Sequence, residues 1–138
     1  MSLAVAVSPP KRKFFVLWFV RGLLALAFAA AGAAKWYGVP MLVDEFEHIG
    51  LGQWFRYFTG ALELLGAALL LLPSRAAFGA VLLTCVMIGA TITHLFVIGG
   101  SPVPALVLLV LNLIVGYAKR DQILGVFGIS DDTAGPRR

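Results

Sequence analysis

The sequence predicts an all-α integral membrane protein: a four-helix bundle with a short interfacial amphipathic helix between helices 1 and 2. Of its 138 residues 60% are hydrophobic and only 13% are charged, and the mean hydropathy is +0.93. A soluble domain of this composition would aggregate. The apolar residues fall into four stretches of about the length that crosses a bilayer. The formal charge of +4 comes from Lys and Arg that flank these stretches, so it is a topology signal and predicts no nucleic-acid partner.

The four predicted spans are residues 14–34, 54–72, 76–98 and 102–117. A helix that rises 1.5 Å per residue needs about 20 residues to cross a hydrocarbon core roughly 30 Å thick. The first three stretches therefore fit, and the fourth is short. The first stretch also resembles a secretory signal, because Lys11-Arg12-Lys13 precedes an apolar run that ends in small residues. Arg21 interrupts that run, and we interpret it as a membrane helix.

The connection from Trp36 to Gln53 predicts the interfacial helix, because Pro40 can open a helix and Gly50 can end it. Apolar and charged side chains lie on opposite faces of this segment; the apolar ones are Leu42, Val43, Phe46 and Ile49. Two interpretations remain open. The helix seals the ends of its neighbours, or it is a lid over lateral entry of a lipid-like ligand.

Basic residues in the short connections predict the orientation in a bacterial-type cytoplasmic (inner) membrane. The N-terminus, the turn at Arg75 and the tail after Tyr117 hold eight Lys and Arg, whereas Lys35 and Arg56 stand on the other side among acidic residues. Both termini are therefore expected to be cytoplasmic. The predicted organisation is a basic N-terminus over residues 1–13, a four-helix domain over 14–120 and a disordered tail over 121–138.

Polar groups inside the spans predict the site. Charged residues at bilayer depth are costly and pair or serve a function. The candidate ligand-binding residues are Arg21, Lys35, Glu63, His94 and Asn112. Counted at 1.5 Å per residue, Arg21 and Glu63 lie roughly 10 and 13 Å from the same side of the bilayer, with Asn112 near them. We therefore expect an Arg21–Glu63 ion pair in preference to a Lys35–Glu63 pair, serving either helix register or a ligand.

The other candidates keep two interpretations each. His94 hydrogen-bonds a neighbouring helix or water, or it donates to a ligand carbonyl or relays protons. Lys35 extends to lipid headgroups, or it holds an anionic or quinone-like headgroup beside His94. Asn112 is expected to bond a neighbouring helix. The sequence contains one cysteine, Cys85, and one further histidine, His48, in the interfacial connection. The sequence contains no haem, flavin or metal motif, and it predicts no catalytic residue of the protein's own.

Several short segments resemble the DoxX and DoxX-like family of small four-helix membrane proteins, over about residues 15–120. They are Arg21, Gly32-Ala33-Ala34-Lys35, Asp44-Glu45-Phe46, Gly60-Ala61-Leu62-Glu63-Leu64-Leu65-Gly66, Leu72-Pro73 and Thr93-His94-Leu95. The resemblance implies the four-helix fold, and it matches four of the candidates to recurring polar positions of the family: Arg21, Lys35, Glu63 and His94. Some relatives are subunits of quinone-linked oxidoreductases, and others belong to membrane complexes that handle oxidative stress.

Three hypotheses follow for the function. The first is a membrane subunit of a redox system whose intramembrane pocket binds a quinone or similar amphiphile, with a redox subunit as partner and no catalysis of its own. The second is a scaffold or assembly factor with a closed polar network. The third is a small transporter, which four unbroken helices support poorly unless they form a homo-oligomer. Membrane lipids are expected partners in every case.

Overall fold

The computed structural model describes residues 11–129, and within that range every regular element is helical. The elements are α1 (Lys11–Tyr37), α2 (Pro40–Ile49), α3 (Gln53–Leu71), α4 (Ala76–Thr93) continued by a π-helical segment (His94–Ile98), α5 (Val103–Ala118) and α6 (Arg120–Val126). Three helices are long and apolar enough to cross a membrane: α1, α3 and the continuous 76–98 helix. A fourth span is completed if α5 and α6 are taken together across their 59° bend. The predicted spans are thus present as helices.

The helices pack in chain order, α1 on α3, α3 on α4 and α4 on α5, and α5 returns to α1. Fully buried Leu24, Phe28, Leu70, Leu83 and Val115 form the centre of the bundle. The outward faces of the long helices carry exposed large apolar side chains, which is the surface that contact with hydrocarbon requires.

Glycines set the closest helix contacts. A Cβ atom placed on Gly32 of α1 would lie 2.8 Å from the Gly60 carbonyl oxygen of α3. A Cβ on Gly79 of α4 would lie 2.8 Å from the Leu70 backbone nitrogen and 2.9 Å from the Gly66 carbonyl oxygen of α3. Both crossings therefore depend on the absence of a side chain, as small-residue packing in membranes does.

The interfacial helix forms as predicted. Pro40 is the first residue of α2, and Gly50 ends the helix with φ 79°, in the left-handed conformation that glycine adopts readily. Phe46 is buried, and its ring centroid lies 5.8 Å from that of Phe55 on α3. The helix thus lays its apolar face over one end of the bundle, which we call the α2 end.

The predicted disordered tail is wrong for residues 121–126, because α6 is helical and docked. Gln122 Nε2 donates to the Pro73 carbonyl at 2.6 Å, and Gln122 Oε1 accepts from the Ala77 backbone nitrogen at 3.0 Å. One side chain thus satisfies two backbone groups where α4 begins. We call the end of the bundle where α6 docks the α6 end. Residues 1–10 and 130–138, which include most of the predicted basic N-terminus and most of the rest of the predicted tail, lie outside the described residues.

Candidate functional site

A buried ion pair joins α1 to α3. Lys35 Nζ donates to Glu63 Oε2 at 2.8 Å and to Glu63 Oε1 at 3.0 Å, and the two side chains are 12% and 3% exposed. The glycine crossing explains the pair, because a Cβ on Gly60 would lie 3.1 Å from Lys35 Cβ. The lysine stem therefore begins over Gly60 and reaches Glu63 one turn further along α3.

The expected Arg21–Glu63 pair is wrong. Arg21 Nε donates to the Leu70 carbonyl at 2.8 Å, and its Nη2 donates to the Leu72 carbonyl at 3.2 Å. The guanidinium also lies 4.6 Å from the centroid of the Trp18 ring. The last carbonyls of a helix lack intrahelical donors, and α3 ends just before Pro73, so Arg21 caps this helix end. Depth counting placed Arg21 in one layer with Glu63 but did not consider the backbone carbonyls at the end of α3 as hydrogen-bond acceptors for the guanidinium.

At the α2 end, Arg56 of α3 caps the end of α1, a role that the sequence interpretation missed. It is 4% exposed, donates from Nη1 to the Lys35 carbonyl at the end of α1, and donates from Nε to Gln53 Oε1 at 2.7 Å. The sequence signal for this role was an arginine in the first turn of one span. That arginine faces the end of the preceding span, which a glycine terminates. The antiparallel helices α1 and α3 therefore cap each other through one arginine each.

A cavity of about 330 Å³ lies at the α2 end and includes the ion pair in its wall. Its lining is mainly apolar and comes from α2, α3, α4 and the π-helical segment, with Lys35 contributed by α1. The polar lining side chains are Lys35, Glu45, Thr59, Glu63, Thr93 and His94. Three of the five predicted site residues thus share one pocket, which is the kind of enclosure that small amphiphiles occupy. Arg21 and Asn112 lie outside it.

His94 stands where α4 changes to the π-helical segment. Its Nδ1 lies 2.9 Å from the Ala90 carbonyl oxygen, one turn earlier on α4. Of the two interpretations of His94, the bond to a neighbouring helix is not the one observed, because this nitrogen bonds a carbonyl of its own helix. Single π-helical turns interrupt the regular ladder and often occur at functional sites.

Asn112 is fully buried. The predicted bond to a neighbouring helix is wrong, because this side chain also bonds its own helix. Its Nδ2 donates to the Leu108 carbonyl at 2.9 Å. Within residues 11–129 its Oδ1 has no hydrogen-bond partner. The position therefore contributes an unsatisfied acceptor to the α5 face of the core rather than a contact to the pocket.

With the fold and the pocket in place, comparison with known proteins gives a family. A family model described as the DoxX-like family matches residues 19–117. The chain belongs to the DoxX-like family. No curated protein and no solved structure matches the chain. The pocket lining, from Lys35 to Ile98, falls wholly within the matched segment.

The pocket of this DoxX-like membrane protein opens between α3 and α4 on the outer surface of the bundle. Phe58 and Cys85 line the pocket and are exposed on the helix surface, and Gly89 has nothing within 4 Å of the place where a Cβ would stand. The same two helices touch backbone to backbone at Gly66 and Gly79. They are thus in close contact toward the α6 end and separated at the α2 end, where α2 covers the gap.

The side chains around the pocket offer binding rather than metal chemistry. In the part of the chain that the structure describes, no three His, Cys, Asp or Glu side chains are grouped as metal ligands. What the wall provides is one ammonium and two carboxylates, one imidazole and two hydroxyls among aliphatic and aromatic groups. Such a wall orients a small polar head and leaves its apolar part in hydrocarbon.

Proposed function

We propose that this DoxX-like protein binds a quinone-like or lipid-like amphiphile in the pocket at the α2 end, as a non-catalytic membrane subunit of a redox system. The observation that carries the proposal is the Lys35–Glu63 pair and His94 in the wall of one mainly apolar cavity. The redox assignment rests on the resemblance to the subunits of quinone-linked oxidoreductases. It implies a partner subunit that carries the redox centre.

The size of the pocket favours a ring-sized head with a tail outside. An engineered cavity of about 150 Å³ holds a benzene molecule, and most small-molecule pockets begin near 300 Å³. A volume of about 330 Å³ therefore accepts a substituted ring and the first part of a chain. A long chain has to leave through the gap between α3 and α4, beside Phe58 and Gly89.

The charge of the pocket favours an uncharged head. Lys35 is neutralised by Glu63 at 2.8 Å, and the other charged side chain in the wall is the carboxylate Glu45. An anionic head would thus meet no uncompensated cation there, and a buried unpaired charge costs several kcal/mol. A quinone ring, which is neutral and carries two oxygens, meets this requirement.

Photolabelling tests the proposal. The protein in phosphatidylcholine nanodiscs is irradiated with an azido-ubiquinone carrying a decyl chain, and the labelled peptides are identified by mass spectrometry. We expect the label on α3 and α4 segments that line the pocket, in competition with unlabelled decylubiquinone. Lys35→Met removes the one ammonium donor available to a quinone oxygen, so it should weaken labelling about fivefold or more, as expected for the loss of one hydrogen bond of about 1 kcal/mol.

Two further variants separate binding from folding. A Cβ placed on Gly89 would meet no atom within 4 Å. Gly89→Leu should therefore fill the pocket and block labelling with no loss of stability. Asn112→Leu changes a polar residue outside the pocket and should label like the wild type. A label that is spread over all lipid-facing helices, or that is unaffected by Gly89→Leu, would reject the pocket and favour the scaffold hypothesis. Native mass spectrometry of the protein from its own membranes then shows whether a partner subunit or a second copy is retained.

A further inference from the structure

The polar groups of the pocket point to one feature of its ligand that the proposed function leaves open. We propose that the ligand head carries a hydroxyl group that donates to His94 Nε2, so that the pocket prefers a hydroquinone to the corresponding quinone. This inference rests on the proposed function and specifies the ligand of the same pocket. Its basis is that the pocket side chains leave more hydrogen-bond acceptors than donors unused.

The hydrogen bond to the Ala90 carbonyl fixes the tautomer of His94. A carbonyl oxygen only accepts, so the contact of 2.9 Å between Nδ1 and the Ala90 oxygen requires that Nδ1 carries the hydrogen. In the neutral imidazole the lone pair then lies on Nε2. No described residue donates to Nε2, and the half-buried ring is part of the pocket wall. The imidazole therefore presents an acceptor to the ligand.

The two threonine hydroxyls of the pocket have no hydrogen left for a ligand. Thr59 Oγ1 donates to the Phe55 carbonyl at 2.8 Å, and Thr93 Oγ1 donates to the Gly89 carbonyl at 2.9 Å. Each threonine thus uses its one hydrogen on its own helix. Both oxygens can therefore accept a hydrogen bond from a ligand but cannot donate one.

Among the charged groups of the pocket, Lys35 alone keeps a hydrogen-bond donor. Lys35 has three N–H bonds and directs two of them to Glu63, so one N–H is left. Glu63 keeps a further lone pair on each oxygen, and Glu45 has only acceptors when ionised. The side chains of the pocket therefore offer one strong donor, the weak S–H donor of Cys85, and an excess of acceptors.

An excess of acceptors discriminates between the two redox forms of one ring. A quinone has two carbonyl oxygens that only accept, so it can use the single Lys35 N–H and leaves His94 Nε2 without a donor. A hydroquinone has two O–H groups that donate, and each oxygen still accepts. Sites that offer hydrogen bonds to a ligand hydroxyl reject the analogue that lacks it, because buried polar groups are left unpaired.

Competition with the photolabel tests the preference. Decylubiquinol and decylubiquinone are compared under anaerobic conditions as competitors of azido-ubiquinone labelling in nanodiscs. We expect the quinol to compete about fivefold or more better, as one additional hydrogen bond would give. His94→Leu should bring the ratio close to one. His48→Leu is the matched control, because His48 is exposed, bonds its own helix at Asp44 and lies outside this pocket.

Each outcome separates the inference from the proposed function. If the wild type labels in the pocket but the quinone competes as well as the quinol, the hydroxyl preference is rejected and the binding proposal stands. If no pocket label is obtained at all, both fail. If His94→Leu does not fold, the ratio measured on the wild type decides. Dioctanoylglycerol is a neutral lipid alcohol, and competition by it that depends on His94 supports hydroxyl recognition with a lipid as the source.

Discussion

The polar residues inside the bundle serve two different purposes. Arg21 and Arg56 bind backbone carbonyls at opposite ends of the α1–α3 pair, where helix termini lack donors. Lys35, Glu63 and His94 instead line the pocket. A cation near a helix C-terminus is also favoured by the helix dipole. The two arginines therefore stabilise the scaffold, and the other three residues remain available to a ligand.

The ion pair gives a prediction for stability. Removing one partner of a buried pair leaves an uncompensated polar group, so Lys35→Met and Glu63→Leu should each destabilise the protein by about 3 kcal/mol. The double variant should lose less than the sum of the two, because replacing both partners removes the desolvation cost as well. Unfolding in SDS, followed by tryptophan fluorescence, measures all four proteins. Strictly additive losses would show that the two side chains do not stabilise each other.

Among the elements, the α3–α4 pair determines where the pocket lies. The two helices are in close contact at Gly66 and Gly79. At the other end of the pair, a Cβ placed on Gly89 would meet no atom within 4 Å. The gap is covered by the apolar face of α2, whose Phe46 lies against Phe55, and both rings also line the pocket. The position of α2 is consistent with both interpretations given above, since the helix covers the bundle end and the ligand site together.

Two glycines on one helix form a matched pair for testing this geometry. Gly79→Ala places a methyl group 2.8 Å from backbone atoms of α3, so the helices must separate, at a cost of about 1–3 kcal/mol as for other overpacked sites. Gly89→Ala meets nothing within 4 Å and should leave the protein as stable as the wild type. Thermal unfolding in one detergent compares them. Equal melting temperatures for the two variants would contradict the close contact.

For the whole molecule, the distribution of Lys and Arg predicts the orientation. The basic residues at 11–13, 75 and 119–120 flank the helices at the ends toward the α6 end, and the positive-inside rule favours their retention in the cytoplasm. We therefore expect green fluorescent protein fused after Arg138 to be fluorescent and alkaline phosphatase fused there to be inactive. Fusions placed after Gly99 in the turn before α5 should show the reverse. An active phosphatase at Arg138 would invert the proposed topology and place the pocket on the cytoplasmic side.

Apolar periodicity and turn residues predicted the helices closely. The spans, the start of α2 at Pro40 and its end at Gly50 could be predicted because they depend on local chemistry. The helix at Arg120–Val126 could not be predicted in the same way, because its order comes from the bonds of Gln122 to Pro73 and Ala77. A short polar segment carries no local signal for a partner 45 residues away.

The sequence by itself determined that this is a helical membrane protein of the DoxX-like family, and which polar residues stand inside it. Only the tertiary structure decided how those residues pair. The glycine crossing at Gly32 and Gly60 places Lys35 against Glu63, while the end of α3 supplies the carbonyls that Arg21 binds. Hydrophobic burial depends on composition and period, which are local. Pairing of buried charges depends on which backbones approach most closely, and that is fixed only when the helices pack.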